Sequence, residues 1–464
     1  MPSISEDAGK MSGVKQDRDN LVVEFESMAA ARNGALPQWL RSIKEDAMER
    51  FVDLGFPTTR LEQWKYTNVA PIARTELKPA SNGVESSTLD LSKLGLVSTP
   101  AATLAFVNGH YSAALSSLST QASEDARLRT GNLGEFLKND DENVRGRLTR
   151  YADYQDHAFV ALNTAFFEDG AFIQIPSRTV VQEPIYIVFY SDGAGKGTLI
   201  NPRVLILAGE SSESTIVEIY AGDGQNAALT NAVTEIVLGE NATIDHFKLQ
   251  QESDVAFHIS TVQAHQDRSA TFNSHSVSLG GALVRNDVNV VLDGEGAQCS
   301  LDGLYVESGQ QHVDNHTLID HAKAHCSSRE LYKGILDDRS TGVFNGSVIV
   351  RKDAQKTDAL QSNKNLLLSE GAEINTKPQL EIFADDVKCS HGATIGQIDP
   401  EAVFYLRSRG LDSTAARALL VYAFSGEIIS RIKSAPVRSL IGGALSGKIT
   451  LGGDFPGSDP NEEL

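Results

Sequence analysis

The chain has 464 residues, of which 41% are hydrophobic and 22% are charged, and its formal net charge is −20. This length and composition predict a globular protein that buries a large core in two or three structural units. The negative charge would repel a phosphate backbone, so we expect no nucleic-acid partner.

Cysteine use and the N-terminal residues indicate the compartment. Cys299, Cys326 and Cys389 are too few and too scattered for a disulfide framework, and no Cys-x-x-Cys pair is present to hold a permanent four-thiolate cluster. The first residues are acidic and lack the apolar stretch of a secretion signal, and no apolar run reaches the length of a membrane span. We therefore expect a cytoplasmic protein with no membrane partner.

Residues 1–160 predict a flexible tail followed by a helical and α/β cap. The tail covers about the first 20 residues, which are polar. After Pro37, apolar residues recur at helical spacing until Gly55, so we expect an amphipathic helix that ends at this glycine.

The rest of the cap shows three local patterns. Asn108-Gly109 lies between two short apolar runs and predicts a hairpin with a type I′ turn. A charged helical stretch follows over residues 133–150. The aromatic and basic segment 56–67 is either core packing or a docking surface, and we favour packing.

Residues 161–397 form a series of short β-branched runs with no helical periodicity between them. Turn-like pairs recur about every 28 to 30 residues, which fits one coil of a parallel β-helix, whereas a propeller blade needs about 40 or more. These pairs are Gly209-Glu210, Gly239-Glu240, Asp267-Arg268, Gly294-Glu295 and Lys323-Ala324. The predicted fold class is mainly β, a parallel β-helix of about eight or nine coils with helical regions at its ends.

Four histidines near the end of this region raise the question of a metal site. They are His312, His316, His321 and His325. By parity, His312 and His316 share one strand face, whereas His321 and His325 belong to the next segment. We favour structural or hydrogen-bonding roles over metal binding for all four.

The last stretch of the β-region brings a thiol and an imidazole together. Cys389 and His391 lie two residues apart, which places both on one face of a strand. Both groups are transition-metal ligands, but on spacing alone a buried thiol and a hydrogen-bonded imidazole explain the pair more simply. Asp399 and Pro400 then predict the start of a helix, as N-cap and first-turn residue.

Residues 398–464 predict a C-terminal helical domain with an acidic tail. Apolar residues repeat at i, i+3 and i+4 over residues 400–409 and 413–429, which indicates two amphipathic helices. The tail from Gly452 onward is acidic, and we expect it to be disordered.

Several stretches around these boundaries carry a family signature. They are Lys388-Cys389-Ser390-His391-Gly392-Ala393-Thr394-Ile395-Gly396, Phe404-Tyr405-Leu406-Arg407-Ser408-Arg409-Gly410, Gln355-Lys356-Thr357-Asp358 and Thr376-Lys377-Pro378-Gln379-Leu380-Glu381. Together they resemble the SufB/SufD family, the scaffold subunits of SUF iron–sulfur cluster assembly. The resemblance covers nearly all of residues 20–440.

The resemblance implies a right-handed parallel β-helix flanked by N-terminal α/β and C-terminal helical domains. It implies a scaffold subunit that pairs with a SufB-like paralogue through the β-helix and binds a SufC-like ABC-type ATPase through the C-terminal helices. It also implies a transient iron–sulfur cluster at the paralogue interface, to which His391 contributes, with Cys389 as second candidate. For the ATPase contact we expect Phe404, Tyr405, Arg407 and Phe424.

Two positions favour the SufD branch over the SufB branch. The chain has Ser390-His391-Gly392-Ala393-Thr394 where SufB carries Glu-His-Glu-Ala-Thr, and Ser362 where we align the SufB cysteine. There is no Gly-rich phosphate loop with Lys and Ser/Thr, so the chain is not expected to bind ATP in that manner or to be an enzyme.

Two alternatives remain at this level. A SufB-like homodimeric scaffold would keep the assembly role without the paralogue. A polysaccharide-active β-helix enzyme would need a groove of catalytic carboxylates, and the carboxylates of this chain fall at turns.

Overall fold

The computed structural model describes residues 19–31, 36–80, 90–96, 100–119, 128–193 and 195–449. The predicted acidic C-terminal tail and all but the end of the predicted N-terminal tail lie outside these ranges.

The N-terminal part begins with helices that bury one apolar face. Residues 19–31 form α1, followed by α2 (Gln38–Leu54) and α3 (Ala70–Ala73). Helix α2 buries Leu40 and Phe51, and it ends as predicted at Gly55, which has a φ of 64° and donates its N–H to the Phe51 carbonyl.

Short strands and helices complete this part. They are β1 (Lys78–Pro79), β2 (Ala102–Val107), β3 (His110–Tyr111), β4 (Ser117–Leu118), β5 (Arg129–Asn132), α4 (Leu133–Lys138), α5 (Glu142–Arg147) and α6 (Ala158–Phe166). The predicted hairpin is confirmed, since β2 and β3 are antiparallel and Asn108 and Gly109 have φ values of 50° and 84°. The predicted helical stretch over residues 133–150 is two helices, because Asp140 has a φ of 50° and Asp141 caps α5.

From residue 170 to 397, none of the described residues is helical. The strands are β6 (Gly170–Ile175), β7 (Val180–Ser191), β8 (Thr198–Ile200), β9 (Arg203–Ala208), β10 (Glu213–Gly222), β11 (Ala228–Leu238), β12 (Thr243–Gln251), β13 (Phe257–Gln266), β14 (Thr271–Ser278), β15 (Leu283–Leu292), β16 (Gln298–Glu307), β17 (His312–His321), β18 (Ser327–Leu336), β19 (Thr341–Val350), β20 (Asp358–Leu367), β21 (Glu373–Ile382) and β22 (Lys388–Gln397).

These strands build two parallel sheets that face each other. Sheet A runs from β5 and β6 through β9 and the odd-numbered strands to β21, and sheet B runs from β3, β2 and β7 through β10 and the even-numbered strands to β22. Each strand from β10 to β20 pairs with strands of the preceding and following coil, so one coil contributes one main strand to each sheet. The predicted parallel β-helix is confirmed, with about 8 coils. The predicted domain boundaries at residues 160 and 397 stay predictions.

The alternation of side chains divides each strand between a lumen and an outer face. The lumen is filled mainly by apolar residues from both sheets, such as Ile216, Ile236 and Phe272. The N-terminal helices cover the outer face of sheet A. Three helices come after strand β22 in the chain: α7 (Pro400–Ser408), α8 (Ser413–Ile429) and α9 (Ala435–Ile449). Of these, α8 and α9 help to cover the outer face of sheet B. None of the described helices is long and apolar enough to cross a membrane.

One turn in each coil carries a residue with left-handed backbone. These residues are Arg178, Ser211, Asn241, Ser269, Gly296, His325 and Lys356, and they lie about 30 residues apart. Each donates its N–H to a carbonyl of the next coil; Gly296 donates to Ala324, and His325 donates to Gln355. The column coincides with the turns predicted from the repeat spacing, so one edge of the solenoid is held by a continuous series of backbone hydrogen bonds.

We expect Gly296→Val to lower the free energy of unfolding by about 1–2 kcal/mol, because a β-branched residue is strained at positive φ. The matched control is His325→Gly one coil later, which removes the same kind of strain and should leave stability equal or higher. The urea midpoint, followed by far-ultraviolet circular dichroism, checks both. An unchanged midpoint for Gly296→Val would contradict this account of the turns.

Candidate functional site

The far end of the solenoid is its most exposed part. Strand β22 pairs with β20 and β21 pairs with β19, and these are the last strands of sheets B and A. Every residue of β22 except Cys389 is exposed, whereas strands in the middle of the solenoid are mostly buried. No other strand of the described chain pairs with the outer edge of either, so their backbone groups on that side are open to a partner.

Cys389 and His391 share one face of β22, as predicted. In the register with β20, Cys389 lies over Ala359 and His391 over Gln361, and both of these β20 residues are buried. Cys389 is half-buried against the lumen core, and its burial raises the pKa of the thiol. His391 is exposed at the open end of the lumen. The terminal coil therefore presents an accessible imidazole beside a less accessible thiol.

Ser362 lies on the other face of the sheet. It is next to Gln361 in β20 and pairs with Gly392, so its side chain is on the outer face while that of His391 is on the lumen row. The residue that we aligned with the SufB cysteine thus does not join Cys389 and His391.

The four histidines of the earlier region do not come together. His312 and His316 are in β17 on the outer face, where the Thr67 hydroxyl lies 2.9 Å from His312 Nε2 and His316 Nε2 lies 3.0 Å from an oxygen of Asp314. The prediction that His321 belongs to the next segment is wrong, because β17 continues to His321.

The lumen side of β17 holds His321. Its Nε2 lies 2.9 Å from the Ser328 hydroxyl, and burial lowers the pKa of its imidazole to about 4. His325 is exposed at the following turn. No group of three or more histidine, cysteine, aspartate or glutamate side chains within the described ranges is placed to hold a metal ion. The preference for structural roles stays a prediction.

Part of segment 56–67 packs against sheet A through Trp64 and Thr67, whereas residues 58–63, 65 and 66 are exposed. Arg285 donates from Nη1 to the Gln63 carbonyl at 2.7 Å, and its guanidinium carbon lies 3.9 Å from the centre of the Trp64 ring. Arg285 also donates to Asp314 at 2.8 Å, and Asp314 accepts from the Thr67 hydroxyl at 2.6 Å. Burial opposes ionisation of the Asp314 carboxyl, but His316 most of all, then Arg285 and the Thr67 hydroxyl, hold its pKa below the usual range.

The predicted ATPase-binding residues occupy two different surfaces. Phe404 and Tyr405 of α7 are 73% and 57% exposed, and Arg407 is exposed on the same helix. Phe424 instead packs against sheet B, where Lys333 Nζ lies 4.2 Å from the ring centre and donates to the Phe424 carbonyl at 2.6 Å. Of the four predicted residues, Phe404 and Tyr405 are therefore the exposed aromatic groups, and the role of Phe424 in partner binding stays a prediction.

Ion pairs fix α8 and the segment after it to sheet B. Arg431 donates to Asp302 at 2.8 Å, and Glu427 accepts from Lys333 at 2.7 Å and from Lys364 at 3.2 Å. Asp302 is almost fully buried, and this burial raises the pKa of its carboxyl to about 6 despite the nearby guanidinium. Removing Arg431 would leave a buried carboxylate without its partner, so these pairs hold the C-terminal helices in a defined position.

Sequence reasoning missed the residues one and two coils before His391. Gln361 and Glu330 are both buried, they occupy the same lumen row as His391, and Gln361 donates to Glu330 at 2.7 Å. Burial raises the pKa of the Glu330 carboxyl to about 7. Their repeat spacing of about 30 residues is the signal that could have found them.

Comparison with known proteins places this architecture in a family. A family model described as the SufBD core domain of SUF-system FeS cluster assembly matches residues 189–424, and a model of the SufBD protein N-terminal region matches residues 17–187. An iron–sulfur cluster assembly SufBD family protein of Synechocystis sp. is 33% identical over 407 residues, which cover 86% of this chain and 88% of the relative.

Two relatives are named iron–sulfur cluster assembly protein SufD. The Escherichia coli protein is 32% identical over 418 residues, covering 86% of this chain and 93% of the relative. The Bacillus subtilis protein is 26% identical over 420 residues, covering 89% and 94%. With the β-helix and both matched regions in place, the chain belongs to the SufBD family of the SUF iron–sulfur cluster assembly system.

Proposed function

We propose that this chain is the SufD-type scaffold subunit of a SUF assembly complex, and that it is not itself an enzyme. In this proposal its terminal coil, β21 and β22, pairs with a SufB-like paralogue. The observation that carries the proposal is the exposed end of the solenoid, where two strand edges and His391 face outward together. The similarity to proteins named SufD supports the assembly role.

The chemistry of the terminal coil fits a strand-pairing partner. Large apolar side chains are exposed there, with Phe383 at 62% and Ile395 at 53%. Open edges with apolar neighbours favour association, because a partner's strands would satisfy the backbone groups and cover the apolar surface at once. A paralogue with the same coil dimensions would continue both sheets across the interface.

His391 is the residue proposed to bind iron during assembly, with the cluster as the product that the complex makes and releases. A neutral imidazole is a good ligand for iron. A β-carbon built on Gly392 or Gly396 would meet no atom within 4 Å, so the strand leaves room for a second protein's ligands. Cys389 ranks below His391 because its raised pKa keeps more of the thiol protonated.

We expect His391→Ala to lower the iron and sulfide content of the anaerobically reconstituted complex by about tenfold or more, because it removes a ligand rather than its support. The ATPase activity of the complex and its subunit composition should persist, since the side chain of His391 is exposed. Cys389→Ser is the matched control two residues away on the same strand face, and it should have the smaller effect. Wild-type iron and sulfide in the His391→Ala complex would refute the role of His391.

The proposed ATPase contact is the exposed face of α7. Buried aromatic anchors carry much of the energy of protein interfaces, and Phe404 and Tyr405 are large aromatic groups that are mostly exposed. Arg409 lies over the Tyr405 ring at 5.2 Å and donates to its hydroxyl at 3.3 Å, which holds the ring in one orientation. Point variants test this surface better than deletion, because deleting α8 and α9 would uncover apolar residues of sheet B.

We expect Phe404→Ser combined with Tyr405→Ser to weaken retention of a SufC-like ATPase by about 30-fold or more, the loss of one or two interface anchors. Co-purification and the dissociation constant of the pair measure it. Leu118→Ser, an exposed apolar residue in the N-terminal part, is the control and should leave binding unchanged. Full ATPase retention by the double variant would move the contact away from α7.

A further inference from the structure

A buried polar column leads through the lumen to His391. In sheet B the lumen positions of successive coils are Glu330, Gln361 and His391, aligned by the pairing of β18 with β20 and of β20 with β22. Glu330 and Gln361 are 3% and 1% exposed, so the column starts in the interior and ends at the open coil. Neighbouring positions of a parallel ladder are about 4.8 Å apart, which brings the Gln361 amide within reach of the imidazole above it.

The contact with Glu330 determines which end of the Gln361 amide faces inward. Gln361 Nε2 donates to Glu330 Oε2 at 2.7 Å. Because the amide nitrogen faces Glu330, the amide oxygen faces away from that carboxyl group. Gln361 Oε1 is buried and makes no hydrogen bond within the described part of the chain.

The facing strand confines the amide. A β-carbon built on Gly346 of β19 would lie 2.2 Å from Gln361 Nε2, so only a glycine leaves space for the amide at that place. The amide therefore fits between the Glu330 carboxyl and the backbone of Gly346. A buried acceptor without a donor is costly, which favours any arrangement that supplies one.

We propose that Gln361 is a positioning residue for His391, whose ring N–H donates to Gln361 Oε1 when the paralogue closes the terminal coil. This inference rests on the proposed role of His391 in iron binding. One ring nitrogen then keeps its proton and the other is free of it, so the lone pair of the second nitrogen points outward to the metal. The histidine ligands of metal sites generally donate their other ring N–H to such an acceptor, which fixes both tautomer and ring orientation.

The test measures the protonation of the two ring nitrogens of His391 by nitrogen-15 NMR. The full chain, labelled with nitrogen-15 histidine, is studied by NMR alone and in complex with the SufB-like paralogue at about pH 8, above the pKa of about 7 to which burial raises the Glu330 carboxyl. The His391 signals are identified by their loss in His391→Ala. In the complex we expect one protonated and one unprotonated ring nitrogen, that is, a single tautomer.

Two variants separate positioning from structural support. Gln361→Met keeps the length and removes the acceptor, so the ring signals should shift to the average of two tautomers, and iron content should fall by about tenfold. Glu330→Gln keeps an oxygen that can accept from the Gln361 NH2, so the single tautomer should persist. Circular dichroism and complex formation report whether each variant folds.

Several outcomes would overturn the inference. Averaged tautomers of His391 in the wild-type complex would do so without any variant, and so would a single tautomer that persists in folded Gln361→Met. A failure of the proposed function gives a different result from a failure of this inference. In that case the His391→Ala complex would retain iron, whichever tautomer the His391 ring signals of the wild-type complex show.

Discussion

The fold depends on hydrogen bonding between one coil of backbone and the next. No coil of the β-helix has a core of its own. The backbone N–H and C=O groups of its strands and of its left-handed turn find hydrogen-bond partners only in the neighbouring coils. The series of left-handed turns shows this most clearly, because the N–H of Ser269 donates to the Glu295 carbonyl and that of Gly296 donates to the Ala324 carbonyl. Such a structure needs a cover wherever the stacking stops, and the two ends of this chain differ in that respect.

At the N-terminal end the cover is part of the chain. Strand β5 pairs antiparallel with β6, and β2 pairs with β7, so both sheets are extended by the segment before the solenoid. A buried ion pair fixes that segment. Arg203 Nη2 lies 2.5 Å from Glu235 Oε2, and the Glu235 carboxylate also accepts hydrogen bonds from the backbone N–H groups of Thr149 and Tyr151. Removing either partner would leave a buried charge without its counter-ion, so this ion pair holds the cover firmly on the N-terminal end of the solenoid. The far end carries no such cover in the described residues, and it holds His391.

The sequence predicted the architecture well because the determining signals are periodic and local. Turn-like pairs such as Gly294-Glu295 recur with the coil, and the parity of Cys389 and His391 follows from strand geometry alone. What could not be predicted depends on three-dimensional register. The apolar periodicity of α8 identifies its packing face but cannot say that Phe424 lies over Lys333. The repeat spacing points to the neighbourhood of Gln361 one coil before His391, but coils of unequal length leave the exact residue to the strand register.

The central claim is that the last coil is left open for a paralogue, with His391 inside the resulting interface. Hydrogen–deuterium exchange of β21 and β22, measured on the chain alone and after adding the SufB-like paralogue, tests it most directly. The account predicts fast exchange of the outer-edge amides in the free chain and strong protection on mixing, concentrated in these two strands. Exchange of β22 that is unchanged by the paralogue, or protection that appears equally with a second copy of this chain, would contradict it.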